Sequence, residues 1–280
     1  MGRIKIHIMH CGRVRVSPSL PFGDGNIIKA SGLFLPKKDK IWLPVTCVYI
    51  EHPKAKILVD TGWNRLMSPA GILDNKAQAT QLGRMLVRVS EGYVEKGMTA
   101  SEQLARMGVK PEDLDFVVLS HLDCDHVGGL RELVGAKHIM TSEDEIASAS
   151  SWLESHTRYT PSLWKDTGIT AFQYTKSGLG PVGESYDLLG DGTVQLVHIP
   201  GHSKGLFATL VSNNGKQAMY FSDGGYATRS WKELILPGIC EDKKSALKSL
   251  EWIKSVSESP DCIDSFACHD PEIAPHITTL

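Results

Sequence analysis

Residues 116–129 read FVVLSHLDCDHVGG, so an apolar run ends in a dense group of side chains that could do chemistry. Within six positions stand His121, Asp123, Cys124, Asp125 and His126. Imidazole nitrogens and carboxylate oxygens bind zinc, iron and manganese, whereas a thiolate beside a base would be a nucleophile. No separate base is identifiable for Cys124, and strand-loop alternation would turn it away from its neighbours. The cluster therefore favours a metal site over a reactive thiol or an inert polar loop.

Three further apolar segments end in the same kind of side chain. His202 follows LVHIPG, Asp223 follows AMYFS, and His269 follows SFAC. Taken alone, PGHS, SDGG and ACHDP are each more typical of polar turns. Strand ends on a rigid sheet can nevertheless hold side chains convergently. Together with the first cluster, these ends supply seven groups that could enclose two divalent metals.

Strands must carry these groups, and the sequence predicts them from period-two alternation or from short apolar runs bounded by turn residues. The predicted strands are RIKIHIM, VTCVYIEH, KAKILVDTG, KPEDLDFVVLS, TVQLVHIP, KQAMYFSDGG and DSFACHDPE. Helical spacing is predicted at residues 76–107, 130–135, 142–155 and 243–259. Gly92 and Gly97 indicate a break in the first of these, and Thr99 or Ser101 could cap the helix that follows.

These elements form a single predicted α/β domain that spans residues 1–280, and two of its segments need further description. In the segment 243–259, four apolar side chains share one helix face: Leu247, Leu250, Ile253 and Val256. Residues 156–185 have no clear period and are predicted to be an irregular excursion over the site. That segment, residues 20–22 and residues 64–73 could line an apolar cleft over the metals, although Trp164 and Phe172 fit an ordinary core equally well.

Composition narrows the class of partner. Of 280 residues, 41% are hydrophobic and 22% charged, with a net charge of −2 and no basic block, which weighs against nucleic acid or an anionic membrane surface. No apolar run approaches the length of a membrane span, and the start of the chain alternates like a strand rather than a signal peptide. Six cysteines without CxxC spacing fit the reducing cytoplasm.

The order HxxxDH…PGH…D…H, preceded by ILVDTGW at residues 57–63, resembles the metallo-β-lactamase superfamily. The resemblance implies an αββα sandwich, with two mixed sheets and helices on the outer faces. The loop SPSLPF, the segment SDGGY with Tyr226, and Ala-Cys before His269 and Asp270 are similar to the N-acyl-homoserine lactonase branch. That branch implies a quorum-quenching lactonase that acts on a small-molecule lactone or ester, and a homodimer is compatible with it.

The same resemblance implies a ligand set and a mechanism. One metal would be held by His121, Asp123 and His202, the other by Asp125, His126 and His269, with Asp223 bridging and Asp60 as a nearby carboxylate. A metal-bridging hydroxide would attack the carbonyl, and Asp125 would orient it and shuttle a proton. Tyr226 would donate a hydrogen bond to the substrate, or would simply pack at a strand exit. Thioester or phosphodiester hydrolysis on the same fold is the alternative, and a purely structural metal pair is a third reading.

Asp123 departs from the family pattern HxHxDH, because the second histidine is an aspartate. Four neutral histidines, three aspartates, two divalent ions and a hydroxide sum to zero charge, whereas a histidine at position 123 would give +1. The extra carboxylate should therefore weaken the metals as Lewis acids. Two divalent ions are expected, with zinc first and manganese or iron as alternatives because oxygen ligands favour harder metals. The other reading of Asp123 is that one of the two metal sites is weak.

Overall fold

Two β-sheets form the centre of the computed structural model, which describes residues 2–280. The strands in this range are β1 Lys5–Val16, β2 Ile41–His52, β3 Ala55–Val59, β4 Glu91–Tyr93, β5 Phe116–Val118, β6 His138–Ser142, β7 Thr170–Phe172, β8 Thr175–Lys176, β9 Glu184–Asp187, β10 Val194–His198, β11 Phe207–Asn213, β12 Lys216–Tyr220, β13 Cys262–Phe266 and β14 His276–Thr279. The first sheet has the order β14-β1-β2-β3-β5-β6-β7, with β4 beside β1. The second has the order β13-β12-β11-β10-β9-β8.

Helices cover the outer faces of the sheets or connect their strands. They are α1 Ile27–Ser31, α2 Asn75–Leu82, α3 Arg84–Val89, α4 Ala100–Arg106, α5 Cys124–Val127, α6 Glu143–Ser150, α7 Glu154–Thr157, α8 Thr228–Glu233 and α9 Lys243–Ser257. Short 3-10 helices lie at Lys37–Asp39, Arg65–Met67, Pro111–Asp113, Leu130–Glu132 and Pro161–Leu163. The αββα sandwich expected from the sequence is confirmed.

The core lies between the sheets. Ile6, Val48 and Ile50 of the first sheet border the same small void as Val211 and Ala218 of the second. β2 is buried along eight consecutive positions, as expected for a central strand that is covered on both faces. The apolar alternation of β1 and the continuous apolar run of β2 therefore reflect their different depths in the sandwich.

α9 is the longest helix of the described residues, with 15 residues, and packs on the second sheet. Asp242 caps its first turn by accepting from the backbone N–H of Lys244, and Leu250 and Ile253 are fully buried against the sheet. The predicted face is only partly right, because Leu247 is 37% exposed. The small residues Ala246 and Ser249 take its place against the fold.

Several elements differ from the sequence-based expectations. The strand β4 interrupts the segment 76–107 that was expected to be helical, because residues 91–93 pair with β1. Thr99 does cap α4, in a capping box with Glu102. The segment 156–185 is not simply irregular, since it contains β7, β8 and the start of β9. The strands β6, β11 and β14 were missed altogether.

Strand direction brings the chemical groups to one end of the sandwich. β3 and β5 run parallel in the first sheet. In the second, β12 and β13 are parallel, and β10 and β12 are both antiparallel to β11. The strands β10, β12 and β13 therefore run in the same direction. Their carboxyl ends therefore lie at common edges, where ligand groups can converge. Across residues 2–280, no helix combines the length and apolar character needed to cross a membrane.

Candidate metal centre

Two loops of the first sheet carry one side of the site. Asp60 directly follows β3, and the loop after β5 carries His121 and Asp123. Asp123 stands at the N-cap position of the short helix α5, which presents Asp125 and His126 in its single turn. Burial is nearly complete, since His121 and His126 are 0% exposed and Asp125 is 8% exposed.

Three loops of the second sheet supply the other side. His202 follows β10, Asp223 follows β12, and His269 follows β13, and all three are buried. The His202 loop is fixed against α9 at Gly201, whose φ is +139° and where a Cβ would lie 2.3 Å from the Ala246 backbone nitrogen. Only glycine allows this approach, so α9 supports the loop from behind.

Asp223 lies at the centre of the assembled groups. Its Oδ1 is 3.2 Å from Nε2 of His126 and 3.3 Å from Nε2 of His269. Its Oδ2 is 3.6 Å from Nε2 of His202. Burial raises the pKa of the Asp223 carboxyl, but His269 and His126 outweigh that effect and hold the pKa well below its usual range. Asp223 is thus an anion whose two oxygens face two different groups of histidines.

Hydrogen bonds on the far side of the rings set which nitrogen faces the centre. Nδ1 of His126 is 2.9 Å from the Asp60 carboxylate, and Nδ1 of His269 is 2.7 Å from the Pro44 carbonyl. Both partners can only accept, so each Nδ1 donates its proton to its partner, and the neutral form of each ring has its lone pair on Nε2. Nδ1 of His121 is 3.0 Å from the Ser120 hydroxyl. This is the arrangement in which histidines bind metals.

Asp60 is the hub of the groups behind the site. Its carboxylate accepts from the backbone and hydroxyl of Ser120, each at 2.8 Å, and from the Tyr220 hydroxyl at 3.0 Å, besides its contact with His126. Burial alone would raise the pKa of the Asp60 carboxyl. The charges and hydrogen bonds of its neighbours, His126 first among them, together outweigh burial, so the net shift of this pKa is downward. Asp60 has a φ of +60° and Ser222, beside Asp223, a φ of +49°. Such strained positions cluster at functional sites.

Several buried polar atoms of this centre lack hydrogen-bond partners, and their arrangement fits a pair of metal ions. Within the described residues, Nε2 of His121, Nε2 of His126 and Oδ1 of Asp223 are buried without a hydrogen-bond partner, and a bound cation would satisfy all three. Ligand atoms lie within 4.8 Å of one another in two groups that share Asp223. The first group comprises His121, His202 and Asp223, and the second comprises His126, Asp223, Cys268 and His269. Cys268 was not expected here, although its position beside His269 was a signal.

Asp123 and Asp125 complete the set expected from the sequence. Oδ2 of Asp123 is 3.0 Å from Nε2 of His202 and 3.3 Å from Nε2 of His121. Oδ2 of Asp125 is 3.5 Å from Nε2 of His269. The structure therefore brings all seven sequence-predicted ligands together, with Asp60 behind them.

Arg158 is a member of the site that the sequence did not reveal. Its Nε and Nη2 donate to the two carboxylate oxygens of Asp123, each at 2.7 Å. Burial raises the pKa of the Asp123 carboxyl, but the Arg158 guanidinium outweighs burial and holds the pKa well below its usual range. Arg158 lies in the stretch predicted as irregular, where no period or motif marked it.

A cavity of about 360 Å³ opens over these groups. Six apolar side chains form its wall: Val14, Val16, Leu20, Leu86, Val89 and Ile239. Of the segments expected to line it, residues 20–22 contribute Leu20 and residues 156–185 contribute Thr157 and Arg158, whereas residues 64–73 contribute none. Trp164 and Phe172 belong to the core. The strand β1 and the helix α3 were the missed parts of the wall.

Two further cavity residues bear on the chemistry. The ring of Tyr226 stacks on His269 with centroids 5.0 Å apart and lies 6.3 Å from His202. Burial raises the pKa of the Tyr226 hydroxyl well above its usual value, so it stays protonated. Cys124 also borders the cavity, so the expectation that it turns away is wrong. Burial raises the pKa of its thiol, which opposes the reactive thiolate.

Comparison with known proteins agrees with this architecture. The model of the metallo-beta-lactamase superfamily matches residues 41–211. An N-acyl homoserine lactonase, AttM of Rhizobium radiobacter, is 29% identical over 187 residues, which are 64% of this chain and 66% of AttM. The lactonase AiiB of Agrobacterium fabrum is 27% identical over 278 residues, covering 96% of this chain and 94% of AiiB.

Solved structures share the fold. An N-acyl homoserine lactone hydrolase with N-hexanoyl-L-homoserine bound at its catalytic metal centre superposes with a TM-score of 0.75 at 22% identity, covering 97% of this chain and 95% of that one. AidC, a dizinc quorum-quenching lactonase, gives a TM-score of 0.61 at 17% identity, covering 99% and 94%. At such identities the likeness concerns the fold alone. The matched family model and the αββα sandwich establish that this chain belongs to the metallo-beta-lactamase superfamily.

Proposed function

We propose that this protein is a dinuclear metal-dependent hydrolase that opens lactones of the N-acyl-homoserine type. One observation carries the proposal. Asp223 directs one oxygen toward His126 and His269 and the other toward His202, directly under an apolar cavity. A carboxylate placed in this way suits a bridge between two ions, and an open cavity distinguishes the site from a closed structural one.

The ligand assignment is the one that the family resemblance implies, and the distances among these side chains support it. His121, Asp123 and His202 would hold one ion, and Asp125, His126 and His269 the other, with Asp223 shared. Two divalent ions held there would lower the pKa of water and polarise the ester carbonyl. Imidazole and carboxylate donors suit zinc, and the number of carboxylates also accommodates manganese or ferrous iron.

The chain itself supplies orientation and proton transfer. Asp125 borders the cavity beside His269, which suits it to orient the attacking water and to pass a proton to the leaving alkoxide. The protonated Tyr226 hydroxyl can donate a hydrogen bond to the carbonyl or leaving oxygen. Asp60 and the Pro44 carbonyl hold the rings of His126 and His269, respectively, in a fixed orientation during the reaction.

The cavity wall supports the substrate class. Its six apolar side chains lie on β1, on α3 and in loops, and proposed metal ligands such as Asp125, Asp223 and His269 line the same cavity. A ligand with a polar head and an apolar tail would suit such a mixed lining. Acyl-homoserine lactones have that form, and they are the substrates named for AttM and AiiB. No observation favours a diester or thioester over a lactone.

A hydrolysis panel tests the substrate class. Metal-loaded protein would be assayed with acyl-homoserine lactones, simple lactones, glutathione thioesters and aryl phosphodiesters, with chelator-stripped protein as the matched control. We expect ring opening of the lactones, lost on stripping and restored by metal. Activity confined to thioesters or diesters would replace the lactonase proposal with the alternative hydrolase.

Metal analysis tests the dinuclear part separately. Protein prepared without added metal should contain about two equivalents of divalent ion. Tightly bound zinc in both sites would reject the preference for harder ions, and a single equivalent would show that one site is weak.

A further inference from the structure

We infer that Arg158 is a positioning residue for the metal centre: it fixes Asp123 as a ligand and places a positive charge beside a carboxylate that stands where the family pattern has a neutral histidine. The inference rests on the proposed metal-dependent function. It explains how an aspartate can occupy position 123 without disabling half of the site.

The geometry of the pair leaves one oxygen available. Nε and Nη2 of Arg158 form a fork on the two oxygens of Asp123, at 2.7 Å each. A carboxylate has about four lone-pair positions, so the fork leaves others free. Oδ2 also faces His202 at 3.0 Å and His121 at 3.3 Å. Arg158 thus holds the carboxylate so that this oxygen points at both imidazoles.

Arg158 is itself held by the loops that carry the ligands. Its Nη1 donates to the backbone carbonyl of His202 at 3.0 Å and to Oε1 of Glu241 at 3.1 Å. Its guanidinium lies over the Tyr159 ring, 5.0 Å from the centroid. Because the side chain is anchored on several sides, its fork can impose an orientation on Asp123 rather than follow it.

A buried carboxylate behind the pair connects the same loops. Glu145 is 0% exposed. Its Oε1 accepts from the Tyr159 hydroxyl at 2.9 Å and from the backbone N–H of Leu122 at 3.0 Å, and its Oε2 accepts from the Ser203 hydroxyl at 2.7 Å. These three partners are the chain neighbours of Arg158, Asp123 and His202, so one buried group sets the spacing of all three loops.

Charge gives the pair a second role. The ligands, two divalent ions and a hydroxide sum to zero with Asp123 alone, and adding Arg158 returns the sum to +1. The Asp123–Arg158 pair is therefore formally neutral, as an imidazole at that position would be. The guanidinium, which also pairs with Glu241, offsets part of the weakening of the metals that is expected from an extra carboxylate. Removing Arg158 alone leaves the largely buried Asp123 without its cationic partner, and removing Asp123 alone leaves Arg158 with only Glu241 as a counterion. Either change is costly.

Four variants test this inference: Arg158→Gln, Arg158→Lys, Asp123→His and the double variant Asp123→His with Arg158→Gln. Each full-length protein would be stripped with a chelator and titrated with Co²⁺ alone, with absorption spectra reporting ligand geometry and circular dichroism reporting folding. Arg131→Gln is the matched control. Arg131 donates to the carbonyls of Ser162 and Lys165, which lie in the same segment as Arg158, and it touches no proposed ligand.

We expect Arg158→Gln to weaken binding of one of two Co²⁺ ions by about tenfold or more, as loss of a partner behind a ligand does. Arg158→Lys keeps the charge but not the fork and should give a smaller loss. Asp123→His alone should also bind weakly, because Arg158 then lies beside imidazoles with only Glu241 as its counterion. The double variant should recover most of the lost affinity, which a purely structural role for Arg158 would not produce.

Other outcomes would overturn the inference. Wild-type affinity in both Arg158→Gln and Arg158→Lys, or a double variant no better than its singles, contradicts it while leaving the proposed function intact. If Arg158→Gln does not fold, an unchanged affinity in Arg158→Lys decides against the fork. A wild-type protein that binds no Co²⁺ would instead remove the proposed metal-dependent function itself.

Discussion

The two halves of the candidate metal centre are built differently. In the half with His126 and His269, both rings are held from behind by acceptors, the Asp60 carboxylate and the Pro44 carbonyl. In the half with His121 and His202, Nδ1 of His202 is buried without a hydrogen-bond partner among the described residues. There Nδ1 of His121 faces the Ser120 hydroxyl, and the orientation of His202 comes from Asp123, which Arg158 holds. One half is ordered through its imidazoles and the other through a carboxylate.

The difference teaches where each half can fail. The imidazole-ordered half depends on a buried network around Asp60, which also includes Ser120 and Tyr220. The carboxylate-ordered half depends on the salt bridge between Arg158 and Asp123, and about one fifth of each of these side chains is exposed to solvent. Asp223 is the only one of the seven proposed ligands that belongs to both halves. The following predictions separate these dependencies, from the largest expected effect to the smallest.

Asp223→Ala should disable both halves at once. It removes the shared carboxylate and leaves the surrounding histidines without their anion, so metal content should fall well below two equivalents. Turnover should drop by at least about a hundredfold, or ~2.7 kcal/mol. Metal analysis and steady-state kinetics would measure this. Asp261→Ala, which removes an exposed carboxylate paired with Lys216, is the control, and retention of both ions in Asp223→Ala would contradict the bridging role.

Asp60→Asn should affect mainly the imidazole-ordered half. The amide no longer provides the charged acceptor for Nδ1 of His126, so one ion should bind about tenfold to a hundredfold more weakly. Chelator competition would show one weakened and one normal site. Asp115→Asn is the control, because Asp115 also accepts a backbone N–H but does so near the starts of β3 and β5, away from the centre. Equal weakening of both sites would argue against a division into halves.

Tyr226→Phe should lower turnover by about tenfold while leaving both ions bound. Tyr226 packs between the halves, on His269 and near His202, so removing only its hydroxyl tests the hydrogen bond without losing the packing. Tyr93→Phe, which removes a hydroxyl bonded to the Gly71 carbonyl, is the control. Unchanged turnover would assign Tyr226 to packing alone.

Cys124→Ser should have the smallest effect, with turnover within about threefold of the wild type, or ~0.7 kcal/mol. The thiol is buried and its pKa is raised, although it borders the cavity. Labelling of stripped and loaded protein by a thiol reagent would accompany the kinetics. A loss comparable to that of Asp223→Ala would make Cys124 part of the chemistry.

The sequence was sufficient to name the proposed ligands that the structure brings together, because each one follows an apolar strand. Parallel strand ends converge by geometry, so His121, His202, Asp223 and His269 could be predicted to meet without knowing the sheet order. The strand β11 was missed even though an Asn-Gly turn at residues 214–215 separates it from β12, which is a strong hairpin signal.

Arg158 could not have been predicted in the same way. Its role depends on the distance between two loops that are far apart in sequence, and it stands at the end of a four-residue helix with no motif of its own. The cavity wall was missed for a similar reason, since β1 and α3 come to line the cavity only when the tertiary fold of the sandwich has formed. Contacts of this kind arise from tertiary packing, whereas strand ends are encoded locally.

The origin of the ligands on both sheets has a consequence for the lifetime of the fold. Among the proposed ligands, His121 and Asp125 come from the first sheet and His202, Asp223 and His269 from the second, so an ion that they share could be fully bound only after the sheets have docked. Interactions that form after the folding transition state slow unfolding without accelerating folding. Metal loading should therefore protect the native chain against heat and proteases, while the stripped chain refolds at nearly the same rate.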